Sequence, residues 1–194
     1  MRLIGLCGRS GSGKSSFCSV AKECGLTVID CDAVYKELVS KPTECLKEIG
    51  ENFGNEFIKD GYLNRKELAK VVFSDKEKLK LLNAVTHKHI RIEIDRILKT
   101  LPDESTAILD APTLFESGID QLCDHIVSVI ATDDFCKSRI IARDGLSEEQ
   151  ALSRLSNQPS NDFLIEHSDT VIYNDATFEA FLEASKSVAE SLKE

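Results

Sequence analysis

Long apolar runs are the first feature that this sequence lacks. No stretch of about 18 apolar residues occurs among its 194 residues, so nothing in it predicts a transmembrane helix. The N-terminus leads directly into a predicted strand and carries no apolar segment typical of a cleavable signal peptide. We therefore expect a soluble, cytoplasmic protein.

Positive charge is also scarce. The chain has 24 Lys and Arg against 33 Asp and Glu, which gives a formal net charge of −9 at pH 7. Nucleic acids and anionic membranes bind to basic surfaces, so the composition argues against both as partners. An anionic ligand of this protein must instead be held by local charge and by backbone amides.

Paired cysteines are lacking as well. Seven cysteines occur, an odd number, and none of them forms a CxxC pair. Reduced, buried thiols that act as small hydrophobic side chains are the prediction, in preference to a metal site. The cysteines are Cys7, Cys18, Cys24, Cys31, Cys45, Cys123 and Cys136.

Repeats, low-complexity tracts and linkers are absent too, and what is present indicates one α/β domain over residues 1–194. The 42% of hydrophobic residues suffices for a core. The helix that follows the fourth strand is expected to be capped by Asp133 or Asp134. Predicted strands lie at residues 3–7, 26–29, 107–110, 125–131 and 170–173. Their alternation with helical segments predicts a five-stranded parallel sheet in a three-layer α/β/α fold.

One motif near the N-terminus carries the strongest chemical signal. The segment Gly8–Ser15, GRSGSGKS, fits the pattern GxxxxGK[ST]. It follows the apolar run at 3–7 and precedes a predicted helix at 16–24. A strand, a glycine-rich loop and a helix in this order form the setting that the pattern requires.

The residue types in this loop suit a polyphosphate. Gly8, Gly11 and Gly13 allow the backbone to bring its N–H groups against phosphate oxygens at the start of a helix. Lys14 reaches the β- and γ-phosphates, and Ser15 offers its hydroxyl to Mg²⁺. The alternative is a glycine-rich turn that binds nothing. Because strand, loop, Lys and Ser occur together, we predict that the chain binds a nucleoside triphosphate.

Carboxylates follow two of the predicted strands. Asp30 and Asp32 come after the second strand, and Asp110 ends the third. Ligands of open α/β sheets bind at the carboxyl ends of the strands, so we expect the aspartate pair to face the crevice of the phosphate loop. The alternative is that one or both serve as caps of the next helix. Asp110 has the position of a carboxylate that holds a water ligand of Mg²⁺.

The segment from about residue 42 to residue 101 is too long for a simple crossover and is mostly helical and amphipathic. We interpret it as an inserted helical subdomain that shapes an acceptor site. His87 lies on the shoulder of a predicted helix at 75–101, where a lone His is more often packed than functional. Lys88 and His89 add positive charge that suits a phosphate-bearing substrate.

A second cluster of positive charge lies within the region 139–165. Arg139, Arg143 and Arg154 have spacings that allow them to converge on one side of two helices. One interpretation is that they are solvated surface charges. The other is a lid that closes guanidinium groups onto the transferring phosphoryl group and excludes water.

In their order along the chain these segments resemble one family, the dephospho-CoA kinases, which phosphorylate the ribose 3′-hydroxyl of dephospho-CoA to give coenzyme A. The phosphate loop alone specifies only the superfamily, whereas the aspartate pair, the DGxLxR segment and the LDxPxLFE segment are more specific. The similarity covers nearly the whole chain and implies a P-loop NTPase fold, ATP as phosphoryl donor and Mg²⁺. Its landmarks are GLCGRSGSGKSS, VIDCDAV, DGYLNRKELAKVVFSD, ILDAPTLFESG, SRIIARDGLSEEQALSRLSNQ and SDTVIYND.

The resemblance also implies roles for individual residues. Asp32, with Asp30 nearby, orients and deprotonates the acceptor hydroxyl, while Lys14, Arg139 and Arg143 spread the charge of the loose transition state. The residues implied for ATP are Gly8, Ser10, Gly11, Ser12, Gly13, Lys14, Ser15, Ser16 and, beside the adenine, Asn174. Those implied for dephospho-CoA are Asp32, Arg65, His87 and Glu116, and those for the metal are Ser15 and Asp110.

Four positions depart from the family pattern. Arg9 stands where a glycine is usual, Lys88 where a proline is common and Thr113 where a leucine is usual. The segment after Gln158 lacks a lysine that the family usually has there. Arg9 lies at a loop position where side chains can point outward, so it need not harm phosphate binding.

Three other functions share part of this pattern. A nucleoside or sugar kinase has the same loop and lid but a different insertion. A GTPase-like switch needs a guanine-reading NKxD after a late strand, and the sequence YNDA at 173–176 does not supply it. A sensor that binds ATP without turnover has no need for the aspartate pair.

Overall fold

The computed structural model describes residues 1–193. Its strands are β1 (Arg2–Cys7), β2 (Thr27–Asp30), β3 (Ile58–Lys59), β4 (Tyr62–Leu63), β5 (Thr106–Asp110), β6 (His125–Ile130) and β7 (Thr170–Tyr173). Its helices are α1 (Lys14–Glu23), α2 (Cys31–Val39), α3 (Glu44–Phe53), α4 (Arg65–Val72), α5 (Lys76–Leu98), α6 (Asp133–Asp144), α7 (Glu148–Ser156), α8 (Asn161–Glu166) and α9 (Phe178–Ser191). Short 3₁₀ turns occur at Asn55–Phe57 and Ile119–Leu122.

The main sheet has five strands in the order β2-β5-β1-β6-β7. β1 pairs in parallel with both β5 and β6, and β6 pairs in parallel with β7. The predicted five-stranded parallel sheet is therefore confirmed. Because the strand order reverses at β1, the loop that follows this strand lies at the place where open α/β sheets bind ligands.

The chain divides into two compact units. The first, called here the phosphate-loop unit, comprises Met1–Ile29 and the chain from Pro102 onward. Its core joins the sheet to α1 and α9, and these two helices contact each other. Fully buried members of this core include Ile4, Phe17 and Phe181. Alternate apolar residues of β1 thus pack against α1, the helix that begins where the phosphate loop ends.

The second unit, called here the helical unit, spans Asp30–Leu101. It contains α2 to α5 and the antiparallel β3-β4 hairpin. It begins before the predicted boundary at residue 42 because α2 packs on α3 and α5 through apolar residues such as Val39, Ile49 and Val85. That this unit binds the acceptor stays a prediction.

Helix starts are set by side-chain caps. Asp75 caps α5, which ends at Leu98, three residues before the predicted end at 101. The expectation that Asp133 or Asp134 caps α6 is wrong, because the Thr132 hydroxyl accepts the hydrogen bond from the Phe135 amide at 3.4 Å. Both aspartates lie instead in the first turn, where their negative charge interacts favourably with the positive end of the helix dipole.

No helix within residues 1–193 is long and apolar enough to cross a membrane. No disulfide links the seven cysteines within residues 1–193; five of them are buried and two, Cys24 and Cys123, are half-buried. Burial raises the pKa of Cys7 to about 11 and that of Cys18 to about 12. These thiols are therefore protonated at neutral pH and pack as small apolar groups, as predicted.

Candidate active site

At two positions, the backbone of the loop between β1 and α1 lies so close to neighbouring atoms that a side chain larger than that of glycine does not fit. A Cβ atom at Gly8 would lie 2.5 Å from the Val129 carbonyl oxygen. Gly13 has a φ of 118°, and a Cβ atom there would overlap the side-chain amide of Asn174. Gly13 is also the residue before α1, which begins at Lys14. Glycine therefore lets the chain enter the helix while packed directly against β6 and the end of β7.

Carbonyl groups of the loop are bound by side chains from the C-terminal half of the chain. The Asn174 amide donates to the Ser12 carbonyl at 2.7 Å, and Arg139 Nη1 donates to the Gly11 carbonyl at 3.0 Å. Arg139 Nη2 also donates to Asn174 Oδ1 at 3.3 Å, which joins the two side chains. Since the negative ends of these peptide dipoles are held by donors, the loop offers its positive ends to an anion.

The side chains at the start of α1 carry the charge and the hydroxyls. Lys14 Nζ donates to the Gly8 carbonyl at 2.7 Å, so the ammonium group lies within the loop itself. Ser15 is exposed, and Ser16 is half-buried in the same first turn. The structure therefore brings Lys14, Arg139 and the loop residues Gly8 to Ser16 together at the carboxyl end of β1.

Asp110 lies at the end of β5, level with Leu6 of β1. The Cys18 thiol on α1 donates to Asp110 Oδ2 at 3.6 Å. Ser15 and Cys18 are three residues apart on α1 and so lie on the same side of the helix. A serine hydroxyl and a carboxylate are oxygen donors of the kind that Mg²⁺ prefers, and these residues fit that ion.

The convergence of three arginines on one site, which was one of two interpretations that the sequence left open, does not occur. Arg139 turns toward the loop, with its guanidinium carbon 4.5 Å from the centre of the Phe135 ring. Arg143 instead donates to Asp144 at 2.7 and 2.9 Å, and Arg154 pairs with the same carboxylate. The adjacent Arg143 guanidinium, followed by Arg154, lowers the pKa of Asp144 to about 2. The acidic neighbour draws the two outer arginines away from Arg139.

Arg9 is buried, with 8% of its surface exposed, and so does not take the outward position that the loop allows. Its Nη1 pairs with the Asp133 carboxylate, and its Nη2 donates to the Leu155 carbonyl at 2.7 Å. The next residue along the loop, Ser10, donates its amide to Gln158 Oε1 at 3.0 Å. These contacts join the loop to residues that lie more than a hundred positions away, and no local pattern in the sequence signals them.

Glu116 is exposed on the turn after β5. It lines a small recess beside the loop together with Gly8, Arg9, Phe115 and Gln158. Phe115 packs edge-on against Phe163, with ring centres 5.3 Å apart. The recess therefore joins the start of the phosphate loop to the turn that carries Glu116.

In the helical unit, the two aspartates have different contacts. Asp30 is the N-cap of α2, and its Oδ1 accepts a hydrogen bond from the Ala33 amide at 3.0 Å. Asp32 is exposed in the first turn of the same helix. One of the two aspartates is thus a helix cap, which was one of the alternatives that the sequence left open.

The other predicted acceptor residues of the helical unit lie on α4 and α5. Arg65 begins α4, and its guanidinium carbon lies 5.2 Å from the centre of the Tyr35 ring. His87 is half-buried on α5. The aromatic contact holds the Arg65 guanidinium beside Tyr35.

The predicted positive patch around His87 is wrong, because an acidic residue offsets it. Glu48 Oε2 accepts from Lys88 Nζ at 2.7 Å and lies 2.7 Å from His89 Nε2. These hydrogen bonds, the one from Lys88 first, lower the pKa of Glu48. Lys88 and His89 therefore bind a carboxylate of α3 and are not available as a phosphate patch.

The parallel sheet and the glycine-rich turn from β1 into α1 define a P-loop phosphotransferase fold. A profile of the family described as dephospho-CoA kinase matches residues 2–180. A dephospho-CoA kinase of Fusobacterium nucleatum is 38% identical over 178 residues, which cover 91% of each chain. This chain belongs to the dephospho-CoA kinase family.

Solved structures agree in fold. A Thermus thermophilus protein superimposes with a TM-score of 0.82 at 31% identity, over 98% of this chain and 97% of its own. The dephospho-CoA kinase of Campylobacter jejuni gives a TM-score of 0.75 at 27% identity, over 100% of this chain and 98% of its own. The predicted α/β P-loop fold is therefore confirmed.

Proposed function

We propose that this protein transfers the γ-phosphoryl group of ATP to the ribose 3′-hydroxyl of dephospho-CoA, which gives coenzyme A and ADP. One observation carries the donor half of this proposal. The carbonyls of Gly11 and Ser12 are held by Arg139 and Asn174 behind the loop, which prepares the loop and the start of α1 for a polyphosphate. Membership of the dephospho-CoA kinase family supports the choice of acceptor.

The residues assigned to ATP act by offsetting its negative charge and by holding it in position. Backbone amides between Gly8 and Ser16 bind the phosphates, except those of Ser10, Ser12 and Ser16, which already donate to Gln158 Oε1 and to the Arg9 and Gly13 carbonyls. Lys14 lies where its charge offsets that on the transferring phosphoryl group. Arg139 lies beside the same loop and adds a second positive charge. We assign Asn174 to the adenine side of the ATP site, because it directly follows β7, the strand next to β6, and is fixed by its contact with Ser12.

Ser15 and Asp110 are the residues that hold Mg²⁺ in this proposal. When bound there, the ion would supply positive charge that offsets the negative charge of the phosphates. The hydrogen bond from Cys18 to Asp110 Oδ2 fixes the orientation of the carboxylate. Ser15 then presents its hydroxyl from the first turn of the same helix.

Asp32 is the general base that we assign on the acceptor side. A ribose hydroxyl is a weak nucleophile, and a carboxylate that accepts its proton assists the transfer. Asp30 already accepts the Ala33 amide as a helix cap, so its electron pairs are partly used. We therefore assign the proton to Asp32 and the orientation of the helix start to Asp30.

Binding of dephospho-CoA is assigned to Arg65, His87 and Glu116, as the family resemblance implies. Arg143, in the lid region 139–165, is assigned to the closed state of the lid, in which it gives up its contact with Asp144 for the phosphoryl group. A cytoplasmic location is also proposed. It is supported by the seven cysteines, none of which forms a disulfide within residues 1–193, because disulfides form in oxidising compartments.

A direct assay tests the function. Purified protein with ATP, Mg²⁺ and dephospho-CoA should form ADP and coenzyme A in equal amounts, with the new phosphate located on the ribose 3′-position by mass spectrometry. Coenzyme A itself is the matched control, because its 3′-position is already phosphorylated, and it should release no ADP. Equal ADP release with and without acceptor would contradict a kinase. Phosphorylation of a nucleoside or sugar in place of dephospho-CoA would contradict the acceptor.

A further inference from the structure

Arg9 is the one loop residue whose side chain is buried and charged. Its guanidinium contacts two helices at once, through Asp133 at the first turn of α6 and the Leu155 carbonyl near the end of α7. These two helices are joined at their other ends by residues 145–147. Arg9 therefore bridges the open end of the α6–α7 hairpin and fastens it to the phosphate loop.

Two of the three guanidinium nitrogens of Arg9 have partners in these contacts, whereas the buried Nε has none. Asp133 neutralises the guanidinium, and the Leu155 carbonyl accepts from its second nitrogen. A buried arginine held in this way keeps its place because breaking one partner leaves an uncompensated charge. Arg9 is thus suited to holding structure in place and not to contacting phosphate directly.

The hairpin, in turn, determines the shape of the loop. Arg139, further along α6, donates to the Gly11 and Ser12 carbonyls. Gly11 itself approaches α6 so closely that a Cβ atom there would lie 2.7 Å from the Cys136 carbonyl oxygen. A displacement of α6 therefore moves the Arg139 guanidinium and the loop backbone together.

From these contacts we infer that Arg9 is a positioning residue for ATP, which acts through Asp133 and Leu155 to keep α6 and Arg139 against the phosphate loop. The inference rests on the proposed function only as far as ATP binding, and not on the identity of the acceptor. It predicts that the contact sets the affinity for ATP, while the affinity for dephospho-CoA is unaffected.

Three variants test this in the full chain, with ATP and Mg²⁺ titrated by calorimetry and both KM values measured. Arg9→Met removes both contacts and should weaken ATP binding about tenfold, the loss expected for charged hydrogen bonds of this kind. Asp133→Asn removes only the ion pair at an exposed carboxylate and should weaken it by about threefold. The double variant should be no weaker than Arg9→Met, because the two changes break the same interaction.

Lys137→Met is the matched control. Lys137 lies on α6 and pairs with Glu148 of α7, but it does not contact the loop. It should leave ATP affinity unchanged, and Arg9→Lys should recover part of the affinity by restoring the ion pair with Asp133.

Several outcomes would overturn the inference. They are unchanged ATP affinity in Arg9→Met, additive losses in the double variant, or equal rises in the KM of ATP and of dephospho-CoA, which indicate a general structural role. If Arg9→Met does not fold, Asp133→Asn and Arg9→Lys decide through the same comparison of KM values. Wild-type protein that binds ATP but leaves dephospho-CoA unphosphorylated would contradict the proposed acceptor alone, and the Arg9 test stands.

Discussion

The phosphate-loop unit and the helical unit hold their candidate site residues in different ways. In the phosphate-loop unit, Arg139 and Asn174 reach the loop from distant parts of the chain, and Arg9 of the loop reaches Leu155 in turn. Asn174 is only 2% exposed. In the helical unit, Asp32 and Arg65 are exposed on the first turns of their helices. The first unit fixes its site by buried long-range hydrogen bonds, and the second by local contacts near the surface.

This difference predicts how much of the interaction free energy each unit loses in ordering its site when a ligand binds. A loop held by buried contacts is ordered before the ligand arrives, so less of the interaction is lost in ordering it. We expect exposed side chains on helix ends to become ordered only when a ligand binds. Variants in the first unit should therefore change ATP affinity, and variants in the second should change turnover while ATP affinity is retained.

The largest expected effect tests the phosphate-loop unit alone. Lys14→Ala should lower kcat/KM by about 10³-fold, because the ammonium group is used both in ATP binding and in the transition state. Steady-state kinetics with calorimetric titration of ATP measure both parts. Lys22→Ala, an exposed change in the last turn of the same helix, serves as the control. An effect on kcat without any loss of ATP affinity would contradict the role given to Lys14.

The next effect tests the helical unit. Asp32→Asn should lower kcat by about 10²-fold while ATP binds as before, because the amide cannot accept the hydroxyl proton. Asp30→Asn should lower kcat much less, because asparagine also caps helices. Turnover retained in Asp32→Asn, or lost equally in both variants, would remove Asp32 from the role of base.

A smaller effect compares one hydrogen bond in each unit. Asn174→Ala removes a buried amide-to-carbonyl bond of 2.7 Å to Ser12 and should weaken ATP binding by about tenfold. Asn52→Ala removes an exposed bond of the same length, 2.7 Å, to the Glu48 carbonyl and should leave ATP affinity unchanged. Similar losses of ATP affinity in both variants would contradict the proposed difference between the two units.

The smallest expected effect is a change in the free energy of unfolding that occurs only in alkaline solution. Burial raises the pKa of Cys18 from 9.0 to about 12, so the folded state keeps a proton that the unfolded chain releases. The stabilisation by this thiol is complete below pH 9 and is lost as the pH rises toward 12. The free energy of unfolding, measured by urea denaturation, should therefore fall less steeply in Cys18→Ala over this range. Parallel pH profiles would show that Cys18 titrates normally.

Local signals in the sequence predicted much of the fold and part of the site. The order of β1, glycine loop and α1 follows from neighbouring residues, and so does the cap at Asp30. The burial of Arg9 was not predicted, because its partner Asp133 is 124 positions away. The Lys88–His89 patch was wrong for the same reason, since Glu48 on another helix neutralises it. Tertiary ion pairs decide where long charged side chains lie, and a single sequence does not display them.

The central place of β1 in the sheet has a consequence for how the chain folds. Leu3 of β1 is level with Ala107 of β5, and Ile4 is level with His125 of β6. During synthesis the first strand therefore leaves the ribosome long before either of its neighbours, while the helical unit between them can form its own core. Pairings of such large sequence separation close slowly. We expect the helical unit to gain protection from hydrogen exchange first on refolding, and β1, although it begins the chain, to be among the last strands protected.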